Sequence, residues 1–209
     1  IIEDKVYPKR NSLDTSANQD LEDPAVFAHK ISAGKEVAVT DDFMVIARLE
    51  SLIAGKGIQD ALERAEQYIL AGADGIMIHS SKNDPDEILS FARAYGPLCR
   101  WLGRRPVLVC VPTTYNTITE ADLIASGFNI IIHANHMLRA AYKAMSEVAR
   151  TILMSGRSLE TDQLSATVAE IFSSVGYDRI VRKDQERSDD LRLIREEIDV
   201  VTPLRGRGR

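Results

Sequence analysis

The sequence predicts an α/β protein, namely the C-terminal part of a (β/α)8 barrel of the TIM type, about strands four to eight, followed by C-terminal helices. Three observations support this fold class. Short apolar runs alternate with segments of helical spacing, which is typical of βαβ units and a parallel sheet. The connections from helix to strand are only a few residues long, as in AGADGIMIH. Polar side chains follow almost every predicted strand.

Each candidate strand is an apolar run that is too short and too rich in β-branched residues to favour a helix. The runs are Ile1–Ile2, Phe43–Leu49, Gly75–Ile78, Val107–Val111 and Asn129–Ile132. Because these runs are apolar without alternation, we expect both faces of the sheet to be covered.

Segments with helical spacing lie between and after these strands. They are Gly57–Ala71, Asp86–Tyr95, Glu120–Ser126, His136–Met154 and Ser158–Ser174. Thr119 is placed to cap the third segment. From Arg182 the chain is highly charged, which indicates either a solvated helix or a loose tail, and the closing RGRGR is predicted to be disordered. We therefore divide the chain into residues 1–177, the barrel part with its terminal helices, and a charged tail at 178–209.

An open doubly wound sheet competes with the barrel as the architecture. The sequence has no GxGxxG motif after a strand, which weakens a dinucleotide-binding fold. In a barrel the ends of the strands carry the chemistry. The polar residues at these ends are Glu3, Asp4, Arg48, Glu50, His79, Ser80, Thr113, Thr114, His133 and Asn135. A barrel needs about 250 residues, so we expect this chain to begin inside the fourth strand, with further residues upstream.

Composition limits the classes of function. The 209 residues are 44% hydrophobic and 27% charged, enough to bury a core, and the net charge is −5. An acidic chain is a poor match for nucleic acid and for an anionic membrane surface, and no apolar run approaches the ~20 residues of a membrane helix. The two cysteines form no metal or disulfide pattern, and Cys110 is expected to be a buried thiol. A reducing cytoplasm is the expected location.

Several of the polar residues have a chemical and a structural interpretation. Glu3 and Asp4 either offer oxygen ligands to Mg2+ or cap a loop. Arg48 either clamps an anion with its guanidinium or forms an ion pair with Glu50. His79 is either a ligand-binding group or a satisfied core histidine. In a barrel, Glu3, Arg48 and His79 converge on one mouth, which favours the chemical interpretation.

The loop after the first strand is polar and basic. Lys5, Lys9 and Arg10 flank Tyr7–Pro8, and an asparagine and a serine follow. Cations, an amide, a hydroxyl and backbone N–H groups are what a phosphoryl or carboxylate group requires. The alternative is an ordinary basic surface loop.

The stretch EDKVYPKRNSL resembles the EDK-x5-NS signature of the phosphoenolpyruvate phosphomutase family, within the phosphoenolpyruvate mutase and isocitrate lyase superfamily. The segments ARLESLIAGKGIQDALERAEQYILAGADGIMIHS, VPTTYNTI and IIIHANHMLRAA resemble the same family in order and spacing. The similarity extends over about residues 1–172.

The resemblance implies an isomerase that interconverts phosphoenolpyruvate and phosphonopyruvate with Mg2+, as the entry to phosphonate biosynthesis. Glu3 matches an acid in the hydrated shell of the metal. Lys9, Asn11, Ser12 and Leu13 match a gating loop over the phosphoryl group, and Arg48 and His79 match residues that hold the anionic groups of the substrate. The resemblance also implies homodimers or homotetramers that exchange the last barrel helix.

Two alternatives remain at this point. A phosphonopyruvate hydrolase, or another 2-oxo acid enzyme of the superfamily, is the first, and Asn11 favours transfer over hydrolysis. The lyase branch carries a KxCGH loop, and no cysteine precedes Cys99 here. A non-catalytic fragment or assembly module that docks through its C-terminal helices is the second. The remaining metal carboxylates of the family come from the first strands, so we expect these 209 residues to be inactive alone.

Overall fold

The structure, a computed structural model, describes residues 1–14 and 16–201, without the side chains of residues 199–201. It has five strands: β1 (Ile2–Glu3), β2 (Ile46–Leu49), β3 (Gly75–Ile78), β4 (Val107–Cys110) and β5 (Ile130–Ile131). All neighbours are parallel and the order in the sheet is β1-β2-β3-β4-β5. Each predicted strand is confirmed: β3 has the predicted bounds, β1 is shifted by one residue, and the other three are shorter than predicted. The sheet has the order of consecutive βα units in a barrel.

The helices are α1 (Pro24–Glu36), α2 (Gly57–Leu70), α3 (Asp86–Leu102), α4 (Glu120–Ala125), α5 (His136–Ser155), α6 (Val168–Ser174) and α7 (Tyr177–Val201), with a 3-10 turn at Leu159–Thr161. Thr119 caps α4, since its hydroxyl accepts a hydrogen bond from the Asp122 N–H. Of the two interpretations of the charged tail, the helix is found. The closing RGRGR lies outside the described residues.

Helix α1 was not predicted from the sequence. The Asp23 carboxylate accepts hydrogen bonds from the Ala25 and Val26 N–H groups, and Pro24 occupies the first turn. Only Phe27 and Ile31 of this helix are buried. Because only two of its thirteen residues are buried and apolar, the helix has a weak apolar periodicity. The Asp23–Pro24 pair was the sequence signal for the start of this helix.

The two faces of the sheet have different partners. The helix face, formed by Ala47, Leu49, Ile76, Ile78, Leu108 and Cys110, packs into one core with buried residues of α1 to α4. The inner face carries a smaller cluster of Ile46, Met77, Val109 and Val111. Because side chains alternate along a strand, Arg48 and His79 share the parity of the inner face. Both faces of the sheet therefore carry buried apolar side chains. Helices cover one face, and the smaller cluster lies on the other.

The chain divides into two compact units, Ile1–His136 and the part from Met137 onward. The first unit contains the sheet and both apolar clusters. In the second unit the helix α5 has no buried residue, and α6 begins with a capping box between Thr167 and Glu170. The boundary between residues 177 and 178 stays a prediction. None of the helices in residues 1–14 and 16–201 is both long enough and apolar enough to cross a membrane.

Candidate active site

The site lies where the parallel strands end. Glu3 pairs in register with Arg48, and Arg48 with Met77, so that His79 extends two residues beyond this level. A cleft of about 190 Å³ opens there. It is lined by Glu3, Arg10, Asn11, Ser12, Leu13, Arg48, His79, Val111, Thr113, Ala134 and Asn135. The predicted convergence of Glu3, Arg48 and His79 on one mouth is therefore confirmed.

Arg48 forms the ion pair with Glu50 that the sequence offered as one interpretation, and it keeps donors for the other interpretation, an anion clamp. Its Nε donates a hydrogen bond to Glu50 Oε1, and its Nη2 donates to Ser12 Oγ over 2.8 Å. Nη1 lies 3.5 Å from Glu3 Oε1. A guanidinium has five N–H donors, so the ion pair with Glu50 fixes one edge while other donors remain for an anion in the cleft.

Glu50 connects three side chains of the site, those of Lys5, Ser12 and Arg48. It is fully buried, and Oε2 accepts hydrogen bonds from Ser12 Oγ at 2.6 Å and pairs with Lys5 Nζ at 3.0 Å. Burial opposes its ionisation, but Arg48, Ser12 and Lys5 outweigh burial and hold the pKa of Glu50 below its usual value. The carboxylate is therefore charged at neutral pH.

Asp4 has a structural role, although it follows the same strand as Glu3. Its Oδ1 accepts a hydrogen bond from the Glu50 N–H, and Oδ2 accepts from Arg64 Nη1 and Tyr68 OH. The side chain is fully buried. Burial raises the pKa of Asp4 above its usual value despite the neighbouring Arg64. Of the two interpretations, Asp4 fits the structural one, since its oxygens point into the packing between β1 and α2.

His79 is buried at the floor of the cleft, with 6% of its surface exposed. Its Nδ1 is buried and has no hydrogen-bond partner among the described residues. Burial and the positive charges of Arg48 and Lys5 lower the pKa of His79 to about 4. The imidazole is therefore neutral at physiological pH, and its unpartnered nitrogen makes it a candidate ligand-binding group rather than a satisfied core histidine.

The four predicted loop residues differ in whether they line the cleft. Asn11 and Leu13 line the cleft, and Asn11 Oδ1 accepts a hydrogen bond from the Leu13 N–H at 2.9 Å. Ser12 lines it as well, but its hydroxyl donates to Glu50 and accepts from Lys5 and Arg48, which uses its full capacity. Lys9 is exposed and is not among the residues that line the cleft.

Three polar residues of the cleft were predicted only by their location in a loop or after a strand, without an individual role. Arg10 belongs to the basic loop, and Thr113 and Asn135 follow predicted strands. Asn135 has φ +55°, in the left-handed region that asparagine tolerates better than most residues. The available signal was their place after a strand. Lys5 was expected to offer its charge to a ligand, and instead its ammonium is buried against Glu50.

Glu3 is the carboxylate that the cleft offers to a metal. Its side chain is 27% exposed and its nearest cation, Arg48, is 3.5 Å away, so its oxygens retain free acceptor capacity. Within the described residues, no three His, Cys, Asp or Glu side chains form a group that could hold a metal. Mg2+ often binds one or two carboxylates and keeps several waters. Glu3 therefore fits a partly hydrated Mg2+ and not a closed protein cage.

The fold and the cleft define a class of protein: an α/β barrel of the TIM type, with a cationic site at the carboxyl ends of its strands. The model of the family described as phosphoenolpyruvate phosphomutase matches residues 1–153. The chain belongs to this phosphoenolpyruvate phosphomutase family.

Two relatives of known activity are similar to this chain in sequence. A phosphoenolpyruvate phosphomutase of Tetrahymena pyriformis is 39% identical over 185 residues, which are 88% of this chain and 59% of the relative. A phosphonopyruvate hydrolase of Variovorax sp. (strain Pal2) is 43% identical over 181 residues, 86% of this chain and 60% of the relative. The chain thus spans about three fifths of the length of these relatives.

Solved structures agree with this family. The phosphoenolpyruvate phosphomutase from Streptomyces platensis subsp. rosaceus has a TM-score of 0.77 at 38% identity, covering 88% of this chain and 62% of that one. A phosphonopyruvate hydrolase in complex with oxalate and Mg2+ has a TM-score of 0.72 at 40% identity, with 87% and 59% covered. Mutase and hydrolase are therefore about equally similar to this chain.

Proposed function

We propose that this protein is a phosphoenolpyruvate phosphomutase, an isomerase that interconverts phosphoenolpyruvate and phosphonopyruvate in the cytoplasm. The phosphoryl group leaves the enol oxygen of phosphoenolpyruvate, and a bond from phosphorus to C3 of the same substrate forms, so that no water is consumed. The observation that carries the proposal is the meeting of Glu3, Asn11, Arg48 and His79 around one cleft.

Phosphoryl transfer proceeds through a loose, metaphosphate-like state, so that positioning and charge neutralisation provide most of the catalysis. Arg48, held by Glu50 on one edge, presents its free donors to the phosphoryl oxygens. His79 is neutral and offers its unpartnered nitrogen to the same group or to the carboxylate of the substrate. These two residues hold the migrating group while the enolate turns beneath it.

The loop carrying Lys9, Asn11, Ser12 and Leu13 closes over the reacting group and excludes water. Exclusion is essential, because water at the metaphosphate-like group would give phosphate and pyruvate. The Asn11 amide can donate to a phosphoryl oxygen from its Nδ2, while its Oδ1 holds the Leu13 N–H. Ser12 anchors the loop, and Lys9 supplies a cation from its exposed position.

Mg2+ fits next to Glu3 and, when bound, neutralises the charge of the enolate and carboxylate oxygens. The hydrolase relative that was solved with oxalate and Mg2+ supports this cofactor. Further oxygen ligands would come from water, from the substrate and from residues outside those described. We also propose a homodimer or homotetramer formed through an exchanged C-terminal helix, on the resemblance alone.

The second candidate is phosphonopyruvate hydrolase, which the 43% identity to the Variovorax enzyme favours. Phosphorus NMR of the full-length protein with phosphonopyruvate and Mg2+ separates the candidates. A mutase produces phosphoenolpyruvate, and a hydrolase produces phosphate together with pyruvate. If neither product appears, the interpretation as a non-catalytic assembly module replaces both.

Asn11→Ala tests the role of the loop in the mutase reaction. We expect kcat to fall by about 10²-fold, as for the loss of one preorganised hydrogen-bond donor, with unchanged folding because Asn11 is exposed. Steady-state kinetics and circular dichroism measure the two effects. Unchanged turnover would remove this loop from the mechanism.

A further inference from the structure

Glu50 joins two parts of the candidate active site that are far apart in the sequence. It lies one residue beyond β2 and is fully buried. Its two oxygens have different partners. Oε1 accepts a hydrogen bond from Arg48 Nε, and Oε2 accepts hydrogen bonds from Ser12 Oγ and Lys5 Nζ. One carboxylate therefore contacts both the anion-binding arginine and the loop.

The base of the loop is held through the same carboxylate. Lys5 Nζ, paired with Glu50, also donates to the Arg10 carbonyl at 3.1 Å and to Ser12 Oγ at 2.9 Å. These bonds fix the backbone on both sides of Asn11. The three protons of the ammonium and the single proton of the Ser12 hydroxyl are all used, so neither Lys5 nor Ser12 has a spare donor with which to rearrange.

The orientation of Arg48 depends on the same group. The bond from Nε to Glu50 fixes the plane of the guanidinium, and the bond from Nη2 to Ser12 Oγ at 2.8 Å fixes its rotation. Ser12 thus contacts both Glu50 and Arg48, which links the loop to the arginine in a closed ring of hydrogen bonds. A change at one corner of the ring displaces the others.

We infer that Glu50 is a positioning residue, which couples the anchored state of the loop to the orientation of Arg48. The inference rests on the proposed function for its kinetic consequences only. Glu50 does not line the cleft and acts through its neighbours. When it holds Ser12 and Arg48 together, the loop and the anion-binding donors reach their working positions in one step.

Glu50→Gln preserves the shape of the side chain and removes the charge. An amide has one acceptor oxygen and presents N–H donors on its other side, so it cannot accept from Arg48 on one side and from Ser12 and Lys5 on the other. Glu50→Asp is the second variant, for the case that the buried Lys5 ammonium prevents folding of the first. It keeps the charge but withdraws the oxygens by one methylene.

Asp4→Asn is the matched control. Asp4 is an equally buried carboxylate, one hydrogen bond away from Glu50, but its oxygens contact Arg64 and Tyr68 on the helix side. Asparagine keeps an oxygen for the Glu50 N–H. The control variant therefore disturbs a buried carboxylate without disturbing the ring around Ser12.

The first measurement is limited trypsin cleavage after Lys9 and Arg10, followed by mass spectrometry on the full-length protein without substrate. The temperature is chosen so that circular dichroism shows each variant to be folded. We expect Glu50→Gln, or Glu50→Asp if the first does not fold, to be cleaved at the loop about 10-fold faster, since a local opening loses roughly one charged hydrogen bond. Asp4→Asn should be cleaved at the wild-type rate. Equal rates in all proteins, or equal acceleration in Asp4→Asn, would overturn the inference.

The second measurement is kinetic. For phosphonopyruvate we expect the Glu50 variants to lose about 10²-fold in kcat, with KM changed by less than about tenfold, because misplaced donors cost most in the transition state. Unchanged kcat together with loop release would overturn the coupling. If wild-type protein turns over no phosphonopyruvate, the proposed function fails, and the trypsin comparison still decides whether Glu50 anchors the loop.

Discussion

The helix face and the inner face of the sheet are built from the same strands, yet they serve different ends. On the helix face, Ala47 and Leu49 of β2 are completely buried against the helices. On the inner face, β2 presents Ile46 to a small apolar cluster and then Arg48 to the cleft. One face provides most of the stability, and the other ends in the groups that can bind an anion.

The difference shows how alternation separates stability from chemistry. Successive side chains of a strand point to opposite faces, so Arg48 and Leu49 are neighbours in the chain and have no shared surroundings. A substitution at one position can leave the environment of the other intact. The comparison predicts that activity and stability respond to different residues of the same strand.

Arg48→Met should have the largest effect and tests the inner face. Removal of the guanidinium takes away the donors that face the cleft, and we expect kcat/KM for phosphonopyruvate to fall by about 10³-fold. Thermal unfolding should shift less than for a core truncation, because the buried Glu50 carboxylate keeps Lys5 and Ser12 as partners. A loss of activity that simply follows the loss of folded protein would contradict the separation of the faces.

Leu49→Ala tests the helix face of the same strand. Truncation of this completely buried side chain leaves a cavity, and we expect the free energy of unfolding to fall by about 3 kcal/mol. Urea denaturation measures this change. At a temperature where the variant is folded, kcat should stay within about threefold of wild type. A large decrease in kcat would show that the helix face also controls the site.

The pH dependence of stability tests the inner face through His79. Its folded pKa of about 4 lies below the ordinary value of 6.5. Between these values the unfolded chain binds the proton more readily, so stability falls as the pH falls from 6.5 towards 4, and is fully present above 6.5. We expect a loss of about 3 kcal/mol from this group. His79→Gln should remove this part of the slope, and an unchanged slope in urea titrations would contradict the assignment.

Gly75→Ala should have the smallest effect and tests the packing between strands. A Cβ at Gly75 would lie 2.6 Å from Val107 Cγ2 and 3.1 Å from Ile46 Cγ1, which is closer than packed carbons tolerate. We expect a loss of about 1–2 kcal/mol from overpacking. Gly96→Ala, inside α3 with its nearest neighbour at 3.6 Å, is the control and should be neutral or stabilising. Equal melting temperatures for both variants would contradict this.

Local signals were sufficient for most of the elements. The runs GIMI and NIII contain the strands β3 and β5, and Gly72 and Gly127 end the helices that precede them with φ +103° and +99°. Helix α1 escaped prediction because its apolar periodicity is weak. The meeting of Glu3, Arg48 and His79 was also predictable, since parallel strands bring their carboxyl ends to one edge.

The alternation of strands and helices, the parity that separates Arg48 from Leu49, and the family resemblance of EDKVYPKRNSL can all be read from the amino-acid sequence. The pairing of the polar residues with one another could be seen only in the folded protein. Asp4 and Lys5 are the two residues that follow Glu3 in the sequence, yet one is bonded to Arg64 and the other to Glu50. Such pairings depend on distances between segments some 45 to 60 positions apart, and a buried charge takes whichever partner the fold brings within reach.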